Sequence, residues 1–308
     1  MFTHGLAPNQ IKTALDMVFR SKIDSMEGPN MAKVTDSDLF VQSTTDRAAE
    51  IVENMTDGGL WTQRLSDTED LAETTITTGD KKTYSVVNFS QSLPISKHLI
   101  DDEQWGSVRY AVGNMAYNAG RSRLKTGFEA YRNAFTTFTA NNGIALISDT
   151  QSNLNGDVID NKISGALSES TLNDAINALV EQKNQSGVTA GHQASCLLVP
   201  NRLFKTACEI TDSEMRSGTA NNDINAYSSK YGIYVKQSNF LGSNEGGSDT
   251  AWFLLSNNHG ITRWVRQGIE TEYVPYQYSS NYVSYYKGEY REMYGAMSYE
   301  GIVGSTGV

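Results

Sequence analysis

Cysteine is almost missing from this chain: two in 308 residues, Cys196 and Cys208. Small secreted domains staple themselves with several bridges, so two thiols in apolar surroundings read as reduced and exclude a disulfide scaffold. Proline is scarce as well, at 5 against 26 glycines, so the loops are not stiffened. No apolar run approaches the roughly 18 residues of a membrane span. The opening MFTHGLAPNQ has neither the basic nor the apolar region of a secretory leader. Positive charge is in deficit: 25 Lys and Arg face 35 Asp and Glu, a net charge of -10. Affinity for nucleic acid comes mainly from neutralised phosphates, so this balance argues against tight DNA or RNA binding. At 39% hydrophobic and 19% charged, the composition is that of a globular protein.

The motifs of common enzymes are missing too. There is no G-x-S-x-G, Walker loop, H-E-x-x-H, C-x-x-C or G-x-G-x-x-G. The four histidines, His4, His98, His192 and His259, lack the close spacing of a metal site. In QASCLLVPNRLFKTACEIT (193–211) an apolar strand empties into a helix, a place where enzymes bind phosphate or set a nucleophile. A phosphate corner needs glycines whose N–H groups approach the anion. None is present, and Pro200 removes a donor, so the stretch reads as scaffolding. Cys208 stands beside Glu209, a neighbour that raises a thiol pKa, and reads as a small core hydrophobe. No catalytic, cofactor-binding or metal residue is assigned, and no cofactor is expected.

What is present is elongated. Residues 1–59 read as an N-terminal arm. Ile11, Leu15, Val18 and Phe19 give one helical face after Pro8. Ala48, Ile51, Val52 and Met55 give a second, opened by Thr45-Asp46 and closed near Gly58-Gly59. The breaker-rich MEGPNMAKVTDSD separates them, so both need another surface, in this chain or in a neighbour. Residues 60–98 hold LAETTITTGDKKTYSVVNFSQSLPIS, which predicts a long polar β-hairpin with Gly79-Asp80 at its tip. Such a hairpin is marginal alone. The acidic Asp67, Glu69, Asp70 and Glu73 lack the glycine and spacing of a calcium loop. They read as a solvated face or as partners for a neighbour's cations. Lys81 and Lys82, near the expected tip, are solubilising unless the hairpin crosses to another molecule.

The segment 100–138 predicts a helix of roughly 50 Å. Trp105, Val108, Val112, Met115 and Ala119 give one stripe, and Leu124, Phe128, Tyr131 and Phe135 a second. The slip between them falls at Gly120 and predicts a bend. Asn142-Gly143 marks a hairpin turn. Residues 170–261 read as a compact α/β unit. Its helix carries Leu172, Ala175, Ile176, Leu179 and Val180 under a Ser170 or Thr171 cap, and its strands are 194–199, 232–237 and 251–256. The tail, 262–308, reads as strands, with Met293, Gly295, Met297 and Tyr299 on one face. Nine of the 16 tyrosines lie between Tyr273 and Tyr299, which suits buried but damp surfaces such as subunit interfaces.

The order of these parts, together with four stretches of text, resembles the tailed-bacteriophage major capsid protein of the Hong Kong ninety-seven fold. SLPISKHLIDDEQWGSVRYAVGNMAYNAG resembles that family's entry from extended loop into spine helix. FTTFTANNGIALIS resembles the segment after the spine. STLNDAINALVEQKNQSGVTAGHQASCLLVPNRLFKTACEI resembles its helix, glycine loop and "LLVP" strand. AWFLLSNNHGITRWVRQGIE resembles its late strand pair. The resemblance spans roughly residues 60–300.

The resemblance implies an α+β capsid fold. In it 1–59 is the N-terminal arm, 60–98 the extended β-hairpin loop, and 99–169 the peripheral domain with its spine. Residues 170–261 are then the axial α/β domain, and 262–308 strands that complete the peripheral domain. It implies self-assembly through pentamers and hexamers into an icosahedral or prolate head enclosing double-stranded DNA. Scaffolding, portal and decoration proteins are the implied further partners, no membrane is involved, and assembly is in the host bacterial cytoplasm. Asp67, Glu69, Glu73, Lys81, Lys82 and Tyr84 become candidate intersubunit contacts. Crosslinking, known in one branch, does not carry over, because no partner asparagine can be assigned. Residues 66–90 are expected to serve assembly and not subunit folding. The competing readings are a bacterial nanocompartment shell of the same fold, a tail or sheath component, and a hydrolase whose site forms only in three dimensions.

Overall fold

The computed structural model describes residues 8–23, 31–61, 63, 70, 73–102, 104–213, 225, 227, 231–278 and 282–308. Helix α1 spans Pro8–Ile23. Proline suits the first helical position, where its missing N–H would have no partner anyway. The face predicted from spacing is the buried one: Ile11, Leu15 and Phe19. It packs on the long helix of the same chain, so this part of the arm finds its surface at home. Residues 31–40 strap onto the body as well. The Ala32 N–H donates to the Gln237 carbonyl at 2.8 Å, and Lys236 Nζ reaches Asp36 at 2.8 Å and Asp38 at 3.3 Å.

Two strands follow, β1 (Val41–Thr44) and β2 (Ala49–Met55). The second replaces an expected helix. Val52 and Asn54 are buried while Ile51 and Met55 point outward, an alternation of period two. A polar residue in an inward position hid that period from the sequence. The Asn54 carboxamide oxygen accepts from Asn141 Nδ2 at 3.0 Å, which satisfies it inside the fold.

Strands β3 (Thr78–Ser85) and β4 (Val87–Ser96) also depart from expectation. Gly79 and Asp80 lie within β3 and form no tip. β3 pairs antiparallel with β2, from Ala49 opposite Ser85 to Met55 opposite Thr78, so the hairpin end lies between Thr56 and Thr77. β4 leaves for another sheet after the single residue Val86. Both strands carry β-branched and small polar residues, and composition alone does not say which neighbour each will take.

Ser96 caps the short helix α2 (Lys97–Asp101), and α3 runs unbroken from Trp105 to Arg132. Its 28 residues make a rod of about 42 Å. Phe135 falls beyond its end. Its first half buries Trp105, Val108, Val112, Met115 and Ala116, and its last turns bury Gly127, Phe128, Ala130 and Tyr131. At 100° per residue the buried arc rotates by roughly 90° between the halves. The slip in the pattern thus reflects two cores on two sides of one helix.

The remaining elements are β5 (Gln151–Ser152), β6 (Val158–Ile159), β7 (Lys162–Ile163), α4 (Glu169–Val180), β8 (Ala194–Pro200), α5 (Phe204–Thr211) and β9 (Tyr234–Ser238). Then come β10 (Trp252–Ser256), β11 (Ile261–Val274), β12 (Val283–Ala296) and β13 (Ile302–Ser305). Ser168 is the cap of α4, in a reciprocal capping box with Thr171, in place of the expected Ser170 or Thr171. One sheet runs β1-β11-β12-β4 and a second β7-β13-β10-β8-β9. β13 therefore departs from the rest of the tail, whose strands stay with the spine-side sheet. The tyrosines of the tail serve the chain's own interior more than expected: Tyr286, Tyr290 and Tyr299 are buried, while Tyr278 and Tyr282 are exposed.

A charged cluster sits inside the β1-β11-β12-β4 sheet. Glu292 is 1% exposed, and its Oε2 accepts from Arg263 Nε at 3.0 Å and Nη2 at 2.6 Å. Arg123 of α3 lies 3.4 Å from the same oxygen, and Tyr294 donates to Oε1 at 2.9 Å. Arg263 Nη1 also donates to Gln42 of β1 at 2.9 Å. A buried ion set of this kind adds little net stability but is costly to break, because the remaining charge is left unpaired.

His259 lies in the turn between β10 and β11, where its Nδ1 accepts the Ile261 N–H at 3.2 Å. Burial pulls its pKa from 6.5 to about 4, against a smaller opposing pull from the Asp38 and Ser37 backbone. The folded state thus resists the proton that the unfolded chain accepts. This contribution to stability is complete above about pH 6.5 and is lost as pH falls toward 4, a change of about 3 kcal/mol. Urea unfolding at pH 7 and pH 5 should show the fall, and His259→Gln should flatten it; an unchanged slope in the variant would refute the assignment.

Candidate assembly surface

The β2–β3 hairpin is rooted by one phenol. Tyr84 Oη donates to the Ala296 carbonyl at 2.9 Å and accepts the Ala296 N–H at 3.0 Å. Its ring stacks on Trp264 at 5.6 Å, and Val52 and Met293 complete the cluster. Lys82 Nζ caps the same corner. It donates to the Thr139 carbonyl at 2.5 Å and to Thr139 Oγ1 at 2.7 Å, and lies 5.0 Å from the Tyr84 ring centroid. Burial holds its ammonium below the usual lysine range.

Farther out, a clasp holds the hairpin to the turn after α4. Asp57 accepts from Ser186 Oγ and from Asn184 Nδ2, the latter at 2.5 Å, and the Asp57 N–H donates to Ser186 Oγ at 3.0 Å. The Ser186 hydrogen bond is the largest influence holding the Asp57 carboxyl below its ordinary range. Gly187 shapes that turn: its φ is +79°, and a Cβ would meet Asn155 Nδ2 at 2.6 Å. Beyond the clasp the side chains turn outward and are apolar. Leu60 is 77% exposed, Trp61 100% and Ile76 60%. A monomer gains nothing from such a surface, and patches of this kind mark contacts with other molecules.

Chemistry is not visible beside it. Burial pushes the Cys196 thiol up to about 12, far from a reactive thiolate, and burial followed by Asp212 raises Cys208. Both cysteines are free. Among the described residues there is no group of three or more His, Cys, Asp or Glu placed to hold a metal, and no helix long and apolar enough to cross a membrane.

The family model described as phage capsid protein matches residues 79–303, most of the chain. The chain belongs to that family. It is a structural protein of the virion, a major capsid protein that forms a phage head shell. The solved structures agree on the fold. The asymmetric unit of the bacteriophage PhiM1 mature capsid is 10% identical over 91% of this chain and 88% of that one, with a TM-score of 0.55. The capsid of Myoviridae phage XM1 is 11% identical over 92% and 97%, at 0.53. A virus-like particle from Pyrococcus furiosus is 9% identical over 95% and 98%, at 0.51. These likenesses show the Hong Kong ninety-seven fold, and the family match favours a phage head over a nanocompartment. No curated protein matches the sequence.

In this capsid protein the six residues singled out from sequence scatter. Asp67 and Glu69 lie outside the described residues. Glu73 is exposed, and Lys81 pairs with Glu53 across the hairpin at 3.1 Å. Lys82 and Tyr84 come together at the root and bind their own chain. The exposed apolar pair Leu60-Trp61 was not singled out. Its signal was two large apolar residues directly after Gly58-Gly59, at the edge of a polar stretch.

Tyr84→Phe leaves the buried Ala296 N–H and carbonyl without the partner they share. It should lower unfolding free energy by about 1–3 kcal/mol and speed amide exchange in 49–55. A change within experimental error in both would show that the root lies elsewhere.

Proposed function

We propose that this subunit builds pentamers and hexamers of a closed head around double-stranded DNA, with the β2–β3 hairpin reaching across to a neighbouring subunit. The observation that carries this reading is an anchored root with an exposed apolar end, on a chain of the phage capsid family. The extended loop is then best taken as 49–85, with β4 assigned to the peripheral sheet. The sheet around β8 and β10, with α4 and α5, forms the axial unit at the five- and six-fold centres, and β7 and β13 join it. Assembly takes place in the host cytoplasm, with scaffolding, portal and decoration proteins as further partners.

Closed shells need heterologous contacts whose rotations close. One contact of a few kcal/mol is reversible, whereas several engaged together are held by effective concentration. Such a scheme lets a misplaced subunit leave during growth and holds a finished shell. The net charge of -10 suits a wall that encloses DNA without gripping it.

The earlier expectation that 66–90 is dispensable for folding needs revision, because that span contains β3, the start of β4 and the Tyr84 root. Replacing 59–75 by a short Gly-Ser turn keeps all of these. The variant should remain a folded monomer with near-normal unfolding free energy and form no shells by negative-stain microscopy. Normal shells from it would defeat the reading, as would wild-type protein that gives only tubes or only monomers.

A further inference from the structure

A cavity of about 420 Å³ opens between α3 and the β4–β12 pair, walled by Phe19, Phe89, Met115, Ala119, Ile269 and Tyr290. Phe89 and Tyr290 stack face to face at 4.8 Å and 13°. Gly288 keeps the floor open, since a Cβ there would sit 3.0 Å from Met115 Cε. Tyr290 is only 5% exposed, yet its hydroxyl has no hydrogen-bond partner. A buried phenol without a partner is rare in a finished fold and marks a place where a polar group is still to arrive.

The same chain carries a side chain with the complementary need. Trp61 is 100% exposed with Leu60 beside it. Its indole N–H is a donor without acceptor capacity, and the orphaned Tyr290 oxygen is an acceptor. A tryptophan removes roughly 150–250 Å² from water when buried, which makes it a strong anchor in a pocket. Charge points the same way. The helices framing the cavity carry three Lys or Arg on α1 and five on α3, against Asp16 and Glu129, in a chain of net -10. The residues that follow Trp61 include Asp67, Glu69, Asp70 and Glu73 against Arg64. In its own chain Trp61 stands in solvent four residues past Asp57, which is clasped to the turn after α4.

We propose that Leu60 and Trp61 of one copy fill the α3–β4–β12 cavity of another. Trp61 Nε1 then donates to Tyr290 Oη, and the acidic 67–73 stretch lies along the basic α1 and α3. The proposal depends on the shell reading above and names the receptor for its hairpin.

The test is cysteine crosslinking. Chains carrying Trp61→Cys are co-assembled with chains carrying Ser122→Cys, a change at the cavity wall, and then oxidised. Covalent dimers are expected in the mixed shells and not in shells of either variant alone. Closed shells with no dimer above the wild-type background overturn the proposal but leave the shell reading standing; wild-type protein that never closes overturns both. A chain bearing both substitutions that closes an internal bridge while unassembled also overturns it, since the occupant would then be the chain itself.

Where the cysteine variants fail to assemble, emission decides. The Trp61 contribution, taken as wild type minus Trp61→Phe, should shift to the blue on shell closure, and emission that stays solvent-like counts against the cavity. Trp61→Phe and Tyr290→Phe should each raise the concentration needed for assembly by up to about tenfold, and the double variant by little more than either. Fully additive effects, or none, would show that the two side chains do not meet.

Discussion

One buried carboxylate fixes the geometry on which the hairpin depends. Glu292 gathers Arg263 from β11, Arg123 from α3 and Tyr294 from its own strand, and Arg263 carries the connection on to Gln42 of β1. Sheet, spine helix and the end of the arm are thus registered against a single point. The residues next to this cluster in sequence, Trp264 and Met293, are the ones that hold Tyr84. Apolar packing would give comparable stability, but it would tolerate a slide between strands, whereas charged groups in a dry interior tolerate none.

The hairpin inherits that registration and passes it outward. Its root is dry and aromatic, its middle is held by Asp57 on a surface turn, and its end carries apolar side chains into solvent. Order therefore falls along its length, from a buried phenol to exposed carboxamide and hydroxyl contacts to none. Such a gradient lets the outer part adjust to a partner while the inner part keeps its direction. At Val86 the chain changes sheets in one residue, so the direction of β3 is tied to that of β4.

Much of the α/β unit was legible in the sequence. β8 is buried along its whole length, and its apolar run, closed by Pro200-Asn201, has few other readings. α1 and α4 show their faces plainly for the same reason: apolar residues repeat at helical spacing and one side meets a core. The first hundred residues were harder. Asn54, buried but polar, broke the strand pattern of β2 and left a false helical one. β3 and β4 were read as mates because they are adjacent, although each pairs with a distant strand. The candidate contacts Lys82 and Tyr84 were placed correctly as important but given the wrong partner. Distance along a chain says little about which edge a strand meets, and no local signal marks a backbone atom as far off as Ala296 as the target of a tyrosine.

The quarter-turn between the two buried faces of α3 has a mechanical consequence. A rod gripped on one side at one end and on another side at the other cannot roll without disturbing both grips. Tilting α1 would therefore twist the far end, where Phe128 and Tyr131 pack beneath the axial sheet, instead of being absorbed by slippage between. The helix behaves as a torsion bar, and strain arising where subunits meet at one edge would be felt at the other as rotation.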